Sequence, residues 1–183
     1  LEHSEEMERY LGIIEERAEA MKKLTEELYS YSLIANAEEP AELEEVCLNQ
    51  VLEDCIMEYY AAMTEQGITP KIEITEGKIL RRLHKDHVDR AISNVISNAI
   101  KYSPGDFEIR LTDEGEMTFT NAAPDMTALQ VERLFDRFFT VETGRNSTGL
   151  GLAIARTFVE QMGGSIDAQL DGGRLTIRMS FPH

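Results

Sequence analysis

The stretch that decides the fold runs from residue 86 to residue 103 and reads Asp-His-Val-Asp-Arg-Ala-Ile-Ser-Asn-Val-Ile-Ser-Asn-Ala-Ile-Lys-Tyr-Ser. Apolar residues recur in it every three or four positions, the spacing that places side chains on one face of a helix. We expect Asp86 to cap the start of this helix and Ser103-Pro104-Gly105 to end it. The apolar face comprises Val88, Ala91, Ile92, Val95, Ile96, Ala99 and Ile100, and the polar face comprises Arg90, Asn94, Asn98 and Lys101.

The two asparagines on the polar face, Asn94 and Asn98, lie one helical turn apart. Asparagine is a poor helix former because its amide competes for backbone hydrogen bonds, so two of them at mid-helix need a reason. One interpretation is a solvated polar face, although glutamate and lysine are the usual residues there. The other is that the amide oxygens meet Mg²⁺, which takes hard oxygen ligands. Lys101, one turn further on, would then contact phosphates.

Composition and charge limit the functions that the chain can have. The 183 residues are 42% hydrophobic, which is enough to form a core, and carry a net charge of −16. Residues 1–60 hold 17 acidic and four basic side chains, so the acidity is concentrated in the N-terminal part. A nucleic-acid partner is disfavoured because no basic stripe is present, whereas a small polyanion needs only a few cations and backbone amides.

Three further features of the composition concern cellular context. No apolar run approaches the length that spans a bilayer, and no signal peptide is visible, so we expect no membrane contact by this segment. The parent protein can still be membrane-anchored. Cys47 and Cys55 are too sparse for a disulfide scaffold, and a reduced cytoplasmic location is the default.

The N-terminal part predicts one long helix over residues 4–36, with apolar residues in steps of three and four that are typical of a bundle seam. Its apolar stripe needs a partner helix, which we expect from a second chain or from a segment outside this chain. Pro40 marks a boundary. We therefore expect two units, a bundle helix within residues 1–40 and a second domain over residues 41–183.

The second unit alternates helices and strands. Helices are predicted at 43–66, 86–103, 126–134 and 152–162, and strands at 71–75, 78–83, 106–112, 116–121, 165–170 and 174–181. This order predicts an α+β fold, a two-layer sandwich in which helices pack on one face of a mixed, mostly antiparallel sheet.

Three pieces far apart in sequence carry the chemistry: the Asn94/Asn98/Lys101 face, the segment Phe135–Phe139, and Ser147-Thr148-Gly149-Leu150-Gly151-Leu152-Ala153. Glycines before a helix let backbone N–H groups approach an anion at the helix N-terminus. Together the three pieces resemble the N box, F box and second glycine box of the catalytic and ATP-binding domain of sensor histidine kinases, within the GHKL ATPase superfamily. Residues 4–36 resemble the second helix of the dimerisation and phosphotransfer bundle that precedes this domain.

The resemblance implies roles for individual residues of the helix at 86–103. Asn98 would ligate Mg²⁺ and Asn94 would lie beside it in the catalytic site. Hydrolysing members of the superfamily carry a glutamate at the position of Asn94, and an amide cannot replace it as a general base. This difference favours phosphoryl transfer to a protein over hydrolysis. Lys101 and Tyr102 would contact the phosphates of ATP, although Tyr102 could instead pack at the helix end.

The same resemblance assigns the lid, residues 136–148, and its neighbours. Arg137 and Arg145 are candidates for balancing charge at the γ-phosphate, or else are solvated surface charges. Phe135 and Phe138 are expected to pack in the core under the lid. The nucleotide would contact the glycine segment through Thr148, Gly149, Leu150, Gly151 and Leu152.

The chain departs from the family at the adenine site, where the family has Asp-x-Gly-x-Gly. The aligned residues here are Asn121-Ala122-Ala123-Pro124-Asp125. Asparagine keeps an acceptor oxygen, so we expect Asn121 to bind the adenine amino group, without the strength of a charged acceptor. Otherwise, Asn121 merely ends a strand and the nucleotide site is weakened or inactive.

The chain also lacks the family's phospho-acceptor motif, roughly His-Glu-Leu-Arg-Thr-Pro. His3 has neither the adjoining acid nor the proline, and Leu1-Glu2-His3 resembles a tag remnant. The resemblance thus implies the ATP-binding kinase portion of a sensor histidine kinase, with Mg²⁺ and ATP as cofactors, a response regulator as partner and dimerisation through the helix at 4–36. The alternatives are a GHKL anti-sigma-factor serine kinase and a non-catalytic dimerisation module with a degenerate site.

Overall fold

A computed structural model describes residues 2–35, 42–141 and 148–183 of the protein. The helices and strands follow the predicted order closely. Five helices are described: α1 (Glu2–Ala35), α2 (Leu48–Glu65), α3 (Lys85–Tyr102), α4 (Ala128–Glu132) and α5 (Gly151–Gln161). Seven strands are described: β1 (Glu44–Cys47), β2 (Thr69–Ile74), β3 (Leu80–Leu83), β4 (Asp106–Leu111), β5 (Met117–Ala122), β6 (Ser165–Asp171) and β7 (Arg174–Ser180).

Five strands form the main sheet in the order β2-β4-β5-β7-β6. Strands β2 and β4 are parallel, and the other three neighbouring pairs are antiparallel. The short strands β1 and β3 form a separate antiparallel pair. The prediction of a mixed, mostly antiparallel sheet is confirmed.

Buried apolar and more exposed polar residues alternate along the strands, and this alternation decides which face of the sheet the helices cover. Phe107, Ile109 and Leu111 of β4 are buried and join the apolar faces of α3 and α5 in one core. The opposite face of the sheet is polar: Arg110 pairs with Glu73 at 2.8 Å and with Glu108 at 3.3 Å. Helices therefore cover one face of the sheet, as the two-layer prediction requires, and the other face meets solvent.

Two predictions of local structure are wrong. The helix predicted from residue 43 begins only at Leu48, because residues 44–47 pair with β3 and bury Val46. The helical spacing of apolar residues there is coincidental, since four residues are too few to separate the two periodicities. Asp86 lies in the first turn of α3, whereas the N-cap residue is His84, which makes no side-chain capping hydrogen bond.

The long helix α1 contacts α5 and leaves most of its described side chains exposed. Leu24 of α1 packs against the core of the domain. The apolar residues of the predicted seam, Met7, Leu11, Ile14, Met21 and Leu28, are 42–69% exposed. Within the described parts of the chain, no helix is long and apolar enough to cross a membrane.

Candidate functional site

An open cavity lies between α3, α5 and the C-terminal half of α1. Two groups of residues that are about fifty positions apart in sequence line it from opposite sides. The α3 wall contributes Asn94, Ser97, Asn98, Lys101 and Tyr102, and the second wall contributes Phe139, Thr140, Val141, Thr148, Gly149, Gly151 and Leu152. The structure thus brings together most of the residues that the sequence predicts to bind nucleotide.

Burial of the apolar face of α3 aims its polar face into the cavity. Val88, Ile92, Val95 and Ile96 are fully buried, which fixes the rotation of the helix about its axis. Asn94 and Asn98 are consequently only half-buried, one turn apart and open to the cavity. The polar face is therefore the lining of a cavity and differs from a merely solvated helix surface.

Backbone contacts hold the second wall. Phe138 donates its N–H to the Gly149 carbonyl at 2.9 Å, which ties the F-box segment to the glycine segment. Gly149 has a φ of +69°, and a Cβ atom there would lie 2.6 Å from the Phe138 carbonyl carbon. Only glycine fits this position, because both the left-handed conformation and the close approach exclude a side chain.

Helix α5 points its N-terminus at the cavity through Gly151 and Leu152. Its N-cap residue, Leu150, makes no side-chain capping hydrogen bond. The first N–H groups of a helix have no intrahelical acceptor and carry partial positive charge, so this end of α5 favours an anion. Lys101 across the cavity supplies a formal positive charge, with its Nζ 5.8 Å from the Tyr102 ring centroid.

Two of the predicted site residues, Leu150 and Arg137, do not line the cavity. Leu150 is 1% exposed and packs in the core. Arg137 is exposed and does not line the cavity, and Arg145 lies outside the described residues. Phe135 packs against the core as predicted, but Phe138 is 61% exposed, so its predicted burial under the lid is wrong. The left-handed backbone of Phe138, with a φ of 61°, turns its side chain outward.

Asn121 is the penultimate residue of β5, on the covered face of the sheet, and is 5% exposed, although it does not line the cavity. Its amide nitrogen donates to the Ala122 carbonyl at 2.9 Å. Within the described residues, its side-chain oxygen has no hydrogen-bond partner. Asp106 accepts the Ala122 N–H at 2.9 Å and pairs with Arg174 at 2.9 Å, which holds this strand end in place. The acceptor oxygen of a buried amide is thus kept available.

Several residues that line the cavity were not predicted, because most of them lie on helices or segments to which the sequence analysis gave no binding role. Lys23 and Glu27 lie on α1, Tyr59 lies on α2, and Ser97 and Leu134 flank predicted residues. Burial, together with the charge of Glu58, raises the pKa of the Tyr59 phenol, although a hydrogen bond with Ser93 opposes the shift. Tyr59 therefore faces the cavity as a neutral hydroxyl. Lys23 and Glu27 could not be predicted, since nothing in the seam pattern of α1 indicates which residues contact the domain.

The chemistry of the donor set fits Mg²⁺ better than a softer metal. No group of three or more His, Cys, Asp or Glu residues within the described ranges could hold a metal ion. The cavity instead offers amide oxygens from Asn94 and Asn98, and Mg²⁺ commonly takes few protein ligands, completing its shell with phosphate oxygens and water.

Fold and cavity together define a two-layer α+β domain that offers a carboxamide pair and a helix N-terminus to one ligand, as a nucleotide-binding domain does. The chain belongs to the histidine kinase-, DNA gyrase B-, and HSP90-like ATPase family, which matches residues 84–183.

Individual relatives agree with this assignment. The sensor histidine kinase YcbM of Bacillus subtilis (strain 168) is 27% identical over 174 residues, which are 90% of this chain and 56% of YcbM. The chain therefore spans little more than half of this relative. Histidine kinase AdeS of Acinetobacter baumannii has the same fold, with a TM-score of 0.71 and 21% identity over 92% of this chain and 82% of AdeS.

A third similar structure is that of histidine kinase ThkA in complex with response regulator TrrA. Its TM-score is 0.74 at 18% identity, over 94% of this chain and 50% of that one. The predicted resemblance to sensor histidine kinases is confirmed by these matches, as is the predicted fold class.

Proposed function

We propose that this chain is the ATP-binding kinase portion of a sensor histidine kinase. It binds Mg-ATP and transfers the γ-phosphoryl group to a histidine on a helix outside these residues, for relay to a response-regulator aspartate. The observation that carries the proposal is the cavity in which the carboxamides of α3 face Gly149, Gly151 and the N-terminus of α5. Family membership supports ATP as the nucleotide.

The triphosphate would lie between α5 and Lys101. The N–H groups at the start of α5 and the Lys101 ammonium hold its negative charge from two sides. Asn98, with Asn94 beside it, would hold Mg²⁺ through its amide oxygen. When bound, Mg²⁺ supplies neutralisation of phosphate charge. Tyr59 and Tyr102 add hydroxyl groups at the α-helical side of the cavity.

The γ-phosphoryl group goes to a protein acceptor, because Asn94 offers no general base that could activate water. Its amide nitrogen cannot accept a proton near neutral pH, unlike the carboxylate of a glutamate. Arg137 and Arg145 are the candidates for balancing charge as the phosphoryl group moves. Arg137 is exposed and lies between Leu134 and Phe139, which line the cavity, so it can serve an acceptor presented from outside the domain.

Asn121 supports adenine as the base. Because its amide nitrogen is already used by the Ala122 carbonyl, its oxygen is the atom left to bind a ligand. An acceptor oxygen binds the exocyclic amino group of adenine and opposes the carbonyl oxygen that guanine carries at the same place. We therefore expect ATP to bind more tightly than GTP, despite the loss of the family's aspartate.

The exposed seam of α1 supports dimerisation through this helix. Met7, Leu11, Ile14, Met21 and Leu28 repeat at heptad-like spacing and remain exposed on the described chain. A helix cannot leave such a stripe in water without a partner, so a second copy of the chain is the expected occupant.

Calorimetric titration with a non-hydrolysable ATP analogue and Mg²⁺ tests the function. We expect Asn98→Ala to weaken binding about 10- to 100-fold, since a charge-assisted contact contributes roughly 1.5–3 kcal/mol. Arg90→Ala is the matched control, because Arg90 is an exposed residue of α3 that does not line the cavity. Equal affinities of both variants would remove Asn98 from the site.

The titration also separates the alternatives. A wild-type chain that binds no nucleotide would favour the non-catalytic dimerisation module. A chain that binds nucleotide is next supplied with an intact phosphotransfer bundle in trans. Acid-labile phosphate on that bundle supports histidine phosphorylation, whereas acid-stable phosphate on a protein acceptor would favour the serine kinase.

A further inference from the structure

The long helix α1 reaches into the proposed nucleotide cavity with two charged residues. Lys23 and Glu27 both line the cavity, and they lie one helical turn apart. Leu24, between them, packs against the core of the domain and fixes this face of α1 against it. Charged side chains that are anchored in this way act on any ligand in the cavity.

Glu27 occupies a defined position at the start of α5. The Thr148 hydroxyl donates to the Glu27 carboxylate. The same hydroxyl accepts the N–H of Leu150, the N-cap residue of α5, at 3.3 Å. A chain of hydrogen bonds therefore runs from the N-terminus of α5 through Thr148 to the carboxylate, and aligns the dipoles of the helix end and of the hydroxyl with this negative charge.

A carboxylate held at a helix N-terminus takes the place that suits a phosphate. Both are anions that accept hydrogen bonds, and both gain from the partial positive charge of the first turn. Gly149 and Gly151, beside Thr148, have no side chains that would separate a phosphate from Glu27. A phosphate at this position would compete with Glu27 for the Thr148 hydroxyl, and the two anions would repel each other.

We propose that Glu27 is an internal competitor of the triphosphate, so that docking of α1 on the domain inhibits Mg-ATP binding and Mg-ATP binding releases α1. This inference rests on the proposed function, because it assigns a regulator to the same cavity. The two events oppose each other by a single coupling free energy, and each must weaken the other by the same factor. Lys23 limits the effect, since its positive charge in the cavity favours the triphosphate.

Glu27→Gln tests the competition, with Glu26→Gln as the control. Glutamine keeps an oxygen that can accept from Thr148 but removes the negative charge. Glu26 is exposed, does not line the cavity and undergoes the same change of charge on the same helix. We expect Glu27→Gln to bind the Mg-ATP analogue roughly three- to tenfold more tightly than the wild type, and Glu26→Gln to lie within about twofold of it.

Salt dependence and hydrogen exchange provide readouts besides affinity. The difference between Glu27→Gln and the wild type should shrink at high ionic strength, because screening weakens the repulsion. In the wild type, the nucleotide should speed amide exchange of α1 around residues 20–28, since it displaces the helix from the domain. Slower exchange on adding nucleotide would show that α1 docks more tightly, and would overturn the proposal.

Each outcome separates this inference from the function on which it rests. If no variant binds Mg-ATP, the proposed function fails and the competition fails with it. If the wild type binds and Glu27→Gln equals Glu26→Gln, the function stands and Glu27 is no competitor. Weaker binding by Glu27→Gln alone would make Glu27 a ligand of the magnesium nucleotide and would likewise overturn the proposal.

Discussion

The two walls of the cavity are held by different forces. The α3 wall depends on side-chain burial: Val88, Ile92 and Val95 are fully buried, and their packing sets where Asn94 and Asn98 point. The second wall depends on backbone geometry, since Gly149 touches the backbone of Phe138 and both residues have positive φ. The α3 wall should therefore tolerate only those replacements of its apolar side chains that conserve their size. The second wall should tolerate different side chains, provided that the backbone conformation is kept.

The largest loss of stability is expected from a substitution at Gly149, in the second wall. Gly149→Ala would place a methyl group 2.6 Å from the Phe138 carbonyl carbon and force alanine into a left-handed conformation. We expect the free energy of unfolding to fall by about 2–4 kcal/mol, from conformational strain of roughly 1–2 kcal/mol plus the steric clash. Urea unfolding of the wild type and the variant measures this difference.

Gly151→Ala is the matched control for that substitution. A Cβ atom at Gly151 meets nothing within 4 Å, and this residue already has ordinary helical geometry. We expect unchanged or slightly higher stability, because alanine is the better helix former. Equal losses at both glycines would show that the second wall needs small side chains in general, and not only where another backbone segment lies close.

The same difference between the walls explains what the sequence could predict. The periodicity of α3 predicted its buried face, and Asn94, Asn98 and Lys101 on the other face indeed share one cavity. The glycines predicted that an anion could approach the backbone at the start of α5. The exposed side chain of Phe138 could not be predicted, because left-handed conformations of non-glycine residues leave no periodic signal in the sequence. Lys23 and Glu27 were missed since a contact between distant elements depends on tertiary packing alone.

The next largest effect is on the pH dependence of stability, and it tests the contact between α3 and α5, the helices that belong to the two walls. The His87 ring of α3 packs at a tilt of 38° against Phe158 of α5, with centroids 4.3 Å apart, and stacks on the His84 ring at 3.9 Å. Burial lowers the pKa of His87 to about 4, and the nearby charges of His84 and Arg90 add to the shift while Asp86 opposes it. The unfolded chain binds this proton near pH 6.5, so stability is fully present above that pH and falls as the pH drops toward 4.

His87→Phe removes this dependence while keeping a ring against Phe158. We expect wild-type unfolding free energy to drop between pH 7 and pH 5 by about 1 kcal/mol more than that of His87→Phe, a value reduced from the full shift because the side chain stays partly solvated. Urea unfolding at the two pH values measures it. His183→Phe, at an exposed position, should keep the wild-type drop. Identical drops in all three proteins would show that His87 does not link the walls through its neutral form.

The smallest changes in unfolding free energy are expected at Phe138. Loss of its side chain should matter little there, whereas relief of its backbone conformation should stabilise the protein. Phe138→Ala removes a ring that is 61% exposed and keeps the positive φ, so we expect a change in unfolding free energy within about 0.5 kcal/mol. Phe138→Gly removes the same ring but relieves the left-handed conformation, and should therefore be more stable than Phe138→Ala by up to about 1 kcal/mol.

The gain in stability of Phe138→Gly over Phe138→Ala is limited, because glycine also gives the unfolded chain more conformational freedom. Phe135→Ala supplies the opposite case, since Phe135 packs against the core and its ring lies 5.7 Å from the Arg156 guanidinium carbon. It should lose about 1–2 kcal/mol, which is more than either change at Phe138. If Phe138→Ala instead matched the loss at Phe135, side-chain packing would also hold the second wall, and the two walls would differ only in degree.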